Sequence, residues 1–211
     1  GYGQNGPLAH KAGYDFAIQA EAGLMSITGN KGEEPQKVGV AVADLFTGMY
    51  ATVAILAALR HRDATGCGQV IDMALLDTQV GWLANQALNY LVGGSVSQRR
   101  GTAHPNIVPY QVFAVADGHI ILAVGNDRQF ERFCAVADCP EVARDERYAR
   151  NADRVRHRAT LVPLLAERLR RDGDPELAFP DRRVVHDIAG VREVVRDARR
   201  PGLGRGACHP A

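Results

Sequence analysis

The sequence lacks several motifs that mark common catalytic and metal-binding sites. It contains no G-x-x-x-x-G-K-[ST] phosphate-binding loop and no G-x-S-x-G nucleophile elbow. Its four cysteines form no C-x-x-C pair, and no Cys and His residues have the spacing of a zinc site. These absences argue against a P-loop nucleotidase, an elbow-type serine hydrolase and a zinc protein, so no metal is expected. The few cysteines favour a reduced, cytoplasmic setting.

The sequence also has little net charge and few lysines. The formal net charge is +1 over 211 residues, and Lys37 is the last lysine. This balance argues against a general nucleic-acid or membrane-surface role, since both depend on clusters of one charge. Every apolar run is interrupted before it reaches the length of a transmembrane helix. There is no visible signal peptide and no initiating methionine, so we expect a fragment that a folded part precedes.

Residues 37–50 combine an apolar run with one carboxylate, in the sequence KVGVAVADLFTGMY. This pattern predicts a buried strand, a turn at Asp44 and a buried helix behind it. Asp44 would then be the N-cap of the helix, and the positive end of the helix dipole would keep it ionised. A carboxylate in this position is either a helix cap or a nucleophile, and the residues alone leave both readings open.

The rest of the chain alternates predicted helices with short strands. An Asp-Gly pair at Asp117 between two apolar runs is typical of a β-hairpin, and Asp127 is expected to cap the helix that follows. Pro163 is expected to divide or kink the last helical region. The predicted helices cover residues 13–22, 77–92, 127–137 and 151–169, and the predicted strands cover residues 69–74, 112–116 and 119–124.

Seven stretches carry a family resemblance, and their order along the chain matters more than any one of them. They are GYGQNGP (1–7), GYD (13–15), the Asp44 stretch with Gly48, GCGQVID (66–72), LDT (76–78), GTAHPNIVPY (101–110) and AVGNDRQF (123–130). Together they resemble the class III CoA-transferases, which include formyl-CoA transferase, carnitine CoA-transferase and α-methylacyl-CoA racemase. The last two stretches are similar to the branch that moves CoA between dicarboxylic acids, commonly from succinyl-CoA. The resemblance covers residues 1–169.

The resemblance implies an α/β fold, with part of a Rossmann-like large domain and a small α+β domain in an interlocked homodimer. Residues 1–94 would be the C-terminal part of the large domain, and residues 95–171 the small domain of hairpin and helices. Residues 172–211 are rich in Arg, Pro, Gly and His, and they depart from the family pattern as an atypical tail, frameshifted or disordered. The N-terminal portion that carries most CoA contacts in the family is missing. We therefore expect this chain alone to fold poorly and to be inactive.

The resemblance also implies the chemistry. Asp44 occupies the context of the family's nucleophile, which passes CoA from a donor acyl-CoA to an acid through aspartyl anhydride and aspartyl-CoA intermediates. The CoA thioester is a substrate, and no permanently bound cofactor is expected. The partners would be an acyl-CoA, a carboxylic acid and a second copy of the chain, with no nucleic acid or membrane.

Five further residues are implied in substrate or CoA binding: Tyr14, Asp15, Lys11, Gly101 and His104. Each has an alternative reading, because Tyr14 could be a packed aromatic, Lys11 a solvated surface residue and His104 a turn residue before a proline. Two other functions stay open. Racemases of the superfamily carry His where this chain has Tyr14, which disfavours a racemase. The chain could also be a non-catalytic fragment of a transferase.

Overall fold

A computed structural model describes residues 1–115, 118–171 and 185–187. The chain divides into two compact units, Gly1–Thr102 and Ala103–Ala211. The described elements of the first unit are helices α1 (Asp15–Glu21), α2 (Leu24–Ile27), α3 (Val42–Thr65), α4 (Leu75–Gly81) and α5 (Ala84–Leu91). Those of the second unit are strands β1 (Tyr110–Val115), β2 (Gly118–Ala123) and β3 (Val185–Asp187), and helices α6 (Asp127–Val136), α7 (Pro140–Arg144), α8 (Asn151–Arg156) and α9 (Arg158–Arg171).

The start of α3 corrects the prediction for the Asp44 stretch. Residues 34–41 are irregular, Ala41 is the N-cap, and Asp44 is the third residue of the helix. The predicted strand at 37–43 and the prediction of Asp44 as N-cap are therefore wrong. The error has a physical reason, since periodicity alone does not distinguish a short apolar run in a strand from the start of an apolar helix. The helix ends at Gly66, whose left-handed φ of +74° lets its N–H donate to the Arg62 carbonyl.

Helix α3 buries only side chains near its start. Val42, Ala43 and Thr47 are buried, whereas the large apolar side chains along the rest of the helix are between 39% and 64% exposed. By length and composition α3 meets the criteria for a helix that crosses a membrane, contrary to the expectation that its interruptions would prevent this. The core helix of a soluble protein meets the same criteria, so this finding alone does not assign the helix to a membrane.

A small core holds the first unit together. Ile18, Ala22 and Ala43 form it, and Leu75 and Leu76 pack against it. Helix α1 confirms the helix predicted for residues 13–22, with narrower limits. The strand predicted at 69–74 is wrong, because residues 67–74 are irregular and Val70 is 93% exposed. Since no strand of the first unit is described beside it, this β-prone segment has no partner to pair with.

The helix predicted for residues 77–92 is in fact two helices. Helices α4 and α5 are separated at Trp82, and Ala84 takes a left-handed φ of +43°. Gly81 is a weak helix former, and the Trp82 ring packs edge-on against Phe46 of α3. This contact explains why Trp82 does not follow the apolar stripe of the predicted helix.

A three-stranded antiparallel sheet lies in the second unit, in the order β1-β2-β3. The predicted hairpin is confirmed by the pairing of β1 with β2. Its turn differs, because Val115 pairs with Gly118, so residues 116–117 rather than Asp117-Gly118 connect the strands. Those two residues lie outside the described part of the chain, as does the predicted tail at 172–211 except for β3.

The core of the second unit lies between this sheet and helices α6 and α9. The predicted inward face of α6, including Phe130, Phe133 and Cys134, is buried as expected. Leu165 and Leu169 confirm the predicted face of α9. The described buried members are Val108, Phe113, Val115, Ile120, Leu122, Val124, Phe130, Phe133, Cys134, Ala137, Cys139, Val142, Tyr148, Leu161, Leu165 and Leu169.

Two helix limits in the second unit differ from the prediction. The cap of α6 is Asn126, whose side chain accepts the Gln129 N–H at 2.9 Å, so the prediction of Asp127 as the cap is wrong. Asp127 instead accepts from Arg154 and from the Asn151 N–H. The last helical region divides at His157 rather than at Pro163, which lies inside α9.

Candidate active site

The side chain of Asp44 is exposed at the N-terminal end of α3. Among the described residues, none donates a hydrogen bond to its carboxylate and none forms an ion pair with it. The first N–H groups of a helix have no intrahelical acceptor, and their dipoles give this end of the helix a partial positive charge. Asp44 is thus an exposed, unpaired carboxylate at the positive end of a helix, where a substrate can reach it.

Asp15 supplies the cap that the sequence analysis assigned to Asp44. Its Oδ1 accepts the Ala43 N–H at 2.7 Å, and its Oδ2 accepts from Gln19 Nε2 at 2.8 Å. A carboxylate from helix α1 therefore satisfies a free N–H at the start of α3. Because Ala43 directly precedes Asp44, the Asp15 carboxylate binds the backbone next to Asp44.

Gln19 is a residue of this site that the sequence analysis missed. Its side chain is fully buried, and its Oε1 accepts the Val38 N–H at 2.9 Å while Nε2 donates to Asp15. Gln19 thereby fixes both the Asp15 carboxylate and the irregular segment that leads into α3. The four-residue spacing from Asp15 to Gln19 on a predicted helix was the available signal, since such residues share a face.

Tyr14 and Lys11 precede α1 and extend into solvent. Tyr14 is 78% exposed at the N-cap position of α1, so it is not the packed aromatic of the alternative reading. Lys11 is exposed, and its backbone N–H donates to the Leu8 carbonyl. Tyr14 is adjacent to Asp15 and so belongs to the same end of the unit as Asp44. The binding roles of Tyr14 and Lys11 stay predictions.

Gly101 occupies a position that requires glycine. Its φ is +60°, and a Cβ there would approach Asn30 Oδ1 to 2.7 Å. Its N–H donates to the Gly29 carbonyl at 2.8 Å. The contribution of Gly101 is thus made by its backbone, which joins two loops of the first unit.

His104 belongs to the second unit and lies half-buried in the loop before β1. Its Nδ1 accepts the Asn106 N–H at 3.1 Å, and its own N–H donates to the Tyr110 carbonyl at 2.9 Å. The pKa of the imidazole is lowered, first by burial and then by the positive charge of Arg158. Both effects favour the neutral form of the His104 imidazole.

Tyr14, Asp15 and Asp44 thus lie at one end of the first unit together with Gln19. Gly101 lies elsewhere in that unit. His104 is described with the second unit. In the described part of the chain, no group of three His, Cys, Asp or Glu side chains could hold a metal ion. An exposed, unpaired carboxylate at the start of a helix is able to attack an acyl carbon as a nucleophile.

The profile of CoA-transferase family III matches residues 1–178. The chain belongs to CoA-transferase family III. Succinate–glutarate CoA-transferase of Agrobacterium fabrum is 53% identical over 166 residues, which are 79% of this chain and 42% of that protein. The succinyl-CoA:glutarate CoA-transferase of Homo sapiens is 46% identical over 168 residues, 80% of this chain and 38% of that protein.

The crystal structure of a CaiB/BaiF family protein from Brucella suis resembles this chain with a TM-score of 0.73 and 48% identity. The likeness covers 93% of this chain and 53% of that one. The mixed helix and sheet structure is therefore of the CaiB/BaiF type. The chain spans about two fifths of the length of the curated relatives it matches.

Proposed function

We propose that the protein containing this chain transfers coenzyme A from an acyl-CoA, expected to be succinyl-CoA, to a dicarboxylic acid. The observation that carries the proposal is the family match over most of the chain, within which Asp44 is exposed and unpaired. The names of the relatives from Agrobacterium fabrum and Homo sapiens both pair succinyl or succinate with glutarate. Those names support a dicarboxylic acceptor of similar size.

Asp44 is the proposed nucleophile. Its carboxylate attacks the thioester carbonyl of the donor, the C–S bond breaks, and CoA thiolate and a mixed anhydride result. The thiolate then attacks the aspartyl carbonyl, which releases the donor acid as a carboxylate and leaves an aspartyl-CoA thioester. The acceptor carboxylate attacks this thioester, and the thiolate released attacks the acceptor carbonyl of the second anhydride. The products are the acceptor-CoA and free Asp44, and no other co-reactant is needed.

The surroundings of Asp44 serve this chemistry in two ways. The N–H groups of Val42 and Ala43 already donate to the Val40 carbonyl and to Asp15, so the start of α3 contributes its positive dipole where negative charge develops on the tetrahedral oxygens. Asp15 and Gln19 hold the first turn of α3 and the segment before it, so the attacking carboxylate has a fixed base. Tyr14, Lys11, Gly101 and His104 are the proposed contacts to substrate or CoA.

We further infer the finer architecture. Residues 1–94 belong to a Rossmann-like large domain, residues 95–171 to a small domain, and the active protein is an interlocked homodimer in the cytoplasm. The exposed apolar side chains of α3, such as Met49 and Leu56, support a covering protein surface, because large apolar patches seldom stay in water. On this view α3 packs against protein rather than lipid, and nucleic acid has no part.

The test uses the full-length protein that contains these residues. Incubated with succinyl-CoA and a series of dicarboxylates, it should form the CoA ester of one acceptor, detected by mass spectrometry. Asp44→Asn should lower kcat by at least 1000-fold, since an amide is a poor nucleophile. Hydroxylamine added after the donor should form an aspartyl hydroxamate at Asp44. Epimerisation of a branched acyl-CoA without transfer would contradict the proposal in favour of a racemase.

Asp77→Asn is the matched control. Asp77 is the third residue of α4, as Asp44 is of α3, and both side chains are exposed. The two substitutions remove the same charge from the same helical position, so both should cost about 0.3–1 kcal/mol of stability. Only Asp44→Asn should abolish transfer. Comparable losses of kcat in both variants would assign the effect to helix electrostatics and not to a nucleophile.

A further inference from the structure

Helices α8 and α9 hold the backbone of the His104 loop, residues 104–108, at four carbonyls. Arg158 Nη2 donates to the carbonyls of His104 and Pro105 at 2.7 and 2.9 Å. Asn151 Nδ2 donates to the Asn106 carbonyl at 2.8 Å, and its Oδ1 accepts the Val108 N–H at 3.1 Å. Side chains of α8 and α9, distant in sequence, therefore hold the backbone of the loop in place.

Arg154 completes this clamp, which we define as Asn151, Arg154 and Arg158. The Arg154 side chain is fully buried, and its Nε donates to the Val108 carbonyl at 2.7 Å. Its Nη2 is paired with Asp127 at 2.7 Å, and Asp127 also accepts the Asn151 N–H at 2.9 Å. Asp127 thus holds two of the three clamp residues, Asn151 and Arg154.

The clamp determines which form of the imidazole the loop presents. Nδ1 of His104 accepts the Asn106 N–H, so in the neutral ring the proton is on Nε2. Arg158 adds a positive charge close by, and the Tyr110 ring lies 5.4 Å from the imidazole. No described residue accepts a hydrogen bond from Nε2 of His104. The half-buried ring therefore offers one N–H donor in an electropositive setting.

We propose that Arg158 and Asn151 are positioning residues that hold His104 as a neutral Nε2–H donor to a carboxylate oxygen of the acid substrate. The proposal rests on the proposed function, which supplies an acid as substrate. A neutral donor beside a guanidinium suits an anionic oxygen, because the Arg158 charge attracts the anion while the imidazole orients it. A thioester carbonyl is uncharged and would gain less from Arg158 than a carboxylate does. The distal carboxylate of succinyl-CoA has the same charge as the acid, so it is the alternative source of the oxygen, and the KM for the acyl-CoA distinguishes the two.

The first test measures the imidazole directly and needs no activity. In the full-length protein labelled with ¹⁵N-histidine, the His104 signals are assigned by their loss in His104→Gln. At neutral pH they should have the shifts of the Nε2–H tautomer, and glutarate should move the Nε2 signal. The Nδ1–H tautomer, or an imidazolium at neutral pH, would overturn the proposal. Because it is read without turnover, this result stands even if CoA transfer is not observed.

The second test separates positioning from general stability. Arg158→Lys keeps the charge but loses the double contact to the two carbonyls, and Arg158→Gln loses both. The pKa of His104 should stay low in the Lys variant and rise in the Gln variant, whereas KM for the dicarboxylate should rise about 10- to 100-fold in both. KM for the acyl-CoA should change less than about twofold. His104→Gln, which retains an N–H donor, should raise KM for the acid less than His104→Ala does.

Arg156→Gln is the control for the clamp variants. Arg156 is exposed on α8 and pairs with Asp153, away from the loop carbonyls. It should leave both the His104 pKa and the KM for the acid unchanged. An unchanged KM for the acid in folded Arg158→Lys would overturn the positioning role. A rise in KM for the acyl-CoA alone would overturn the assignment of the oxygen to the acid.

Discussion

Replacing Asp15 tests whether this carboxylate fixes the start of α3. Its Oδ1 accepts the Ala43 N–H at 2.7 Å, and its Oδ2 accepts from Gln19 at 2.8 Å. Asp15→Ala leaves the Ala43 N–H without an acceptor. The loss of such a cap costs about 0.5–2 kcal/mol, and a hydrogen bond to a charged group is worth about 1.5–3 kcal/mol. Because Asp15 is half-buried, we expect about 2 kcal/mol for the local opening of this turn.

The rate of amide hydrogen exchange at Ala43 reports the free energy of this local opening directly. A loss of 2 kcal/mol corresponds to exchange about 30-fold faster at this amide. Asp15→Asn should have a smaller effect, about fivefold, because the amide oxygen still accepts the Ala43 N–H. Its NH₂ would face the donating Nε2 of Gln19, whose amide is fixed by the Val38 N–H and does not turn. The order Ala, then Asn, then wild type is the expected result.

The control and the refuting outcome follow from the geometry. Asp77→Ala removes a carboxylate from the first turn of α4 and should leave Ala43 exchange unchanged. In a transfer assay, Asp15→Ala should lower kcat, since the turn that carries Asp44 is no longer held. Unchanged exchange at Ala43 in Asp15→Ala would refute the capping role. A rise in KM for the acyl-CoA without faster exchange would assign Asp15 to CoA binding alone.

Two further substitutions test the second unit. Arg154→Met should lower the free energy of unfolding in urea by about 3–5 kcal/mol, because it leaves the Val108 and Tyr148 carbonyls without their buried donor. The control, Arg168→Met, breaks an exposed pair with Glu141 and should cost less than about 1 kcal/mol. The Arg147 guanidinium lowers the pKa of Asp145, so the stability that this pair adds is present above the usual Asp pKa and is lost as pH falls through the lowered value. Asp145→Asn should therefore lower the melting temperature at neutral pH but converge with wild type in acid, and a constant difference at all pH values would contradict this.

The second unit could be predicted from the sequence more fully than the first. Its hairpin and the inward face of α6 depend on local signals, which are two apolar runs joined by an Asp-Gly pair and a helical stripe of apolar residues. The structure contains both elements. The first unit contains segments whose apolar residues are not patterned for one element. Val70 lies in such a segment, and it is 93% exposed where a buried strand was predicted. Its strand propensity has no effect without a partner strand, which propensity alone does not reveal.

The candidate site, too, could be predicted from the sequence only in part. The position of Asp44 near a helix start could be predicted, because the apolar run behind it is long enough for only a helix. The donors and acceptors around it could not, since the Ala43 N–H and the Asp15 carboxylate are 28 residues apart in sequence. The same holds for Arg158 and the His104 carbonyl, which are 54 residues apart. Contacts of this range depend on the packing of whole elements, and a single sequence carries no direct record of them.

Asp15 caps the start of α3 while the Asp44 carboxylate stays free, and this difference has a chemical consequence. A carboxylate that caps its own helix accepts N–H groups with its oxygens, and these hydrogen bonds lower both its basicity and its freedom to attack an acyl carbon. Here Asp15 accepts the Ala43 N–H, while the side chain of Asp44 accepts no hydrogen bond from any residue in the described ranges. Asp44 thus benefits from the positive end of α3 without using its oxygens to hold the helix. This division of roles between two carboxylates supports the proposal that Asp44 is the nucleophile.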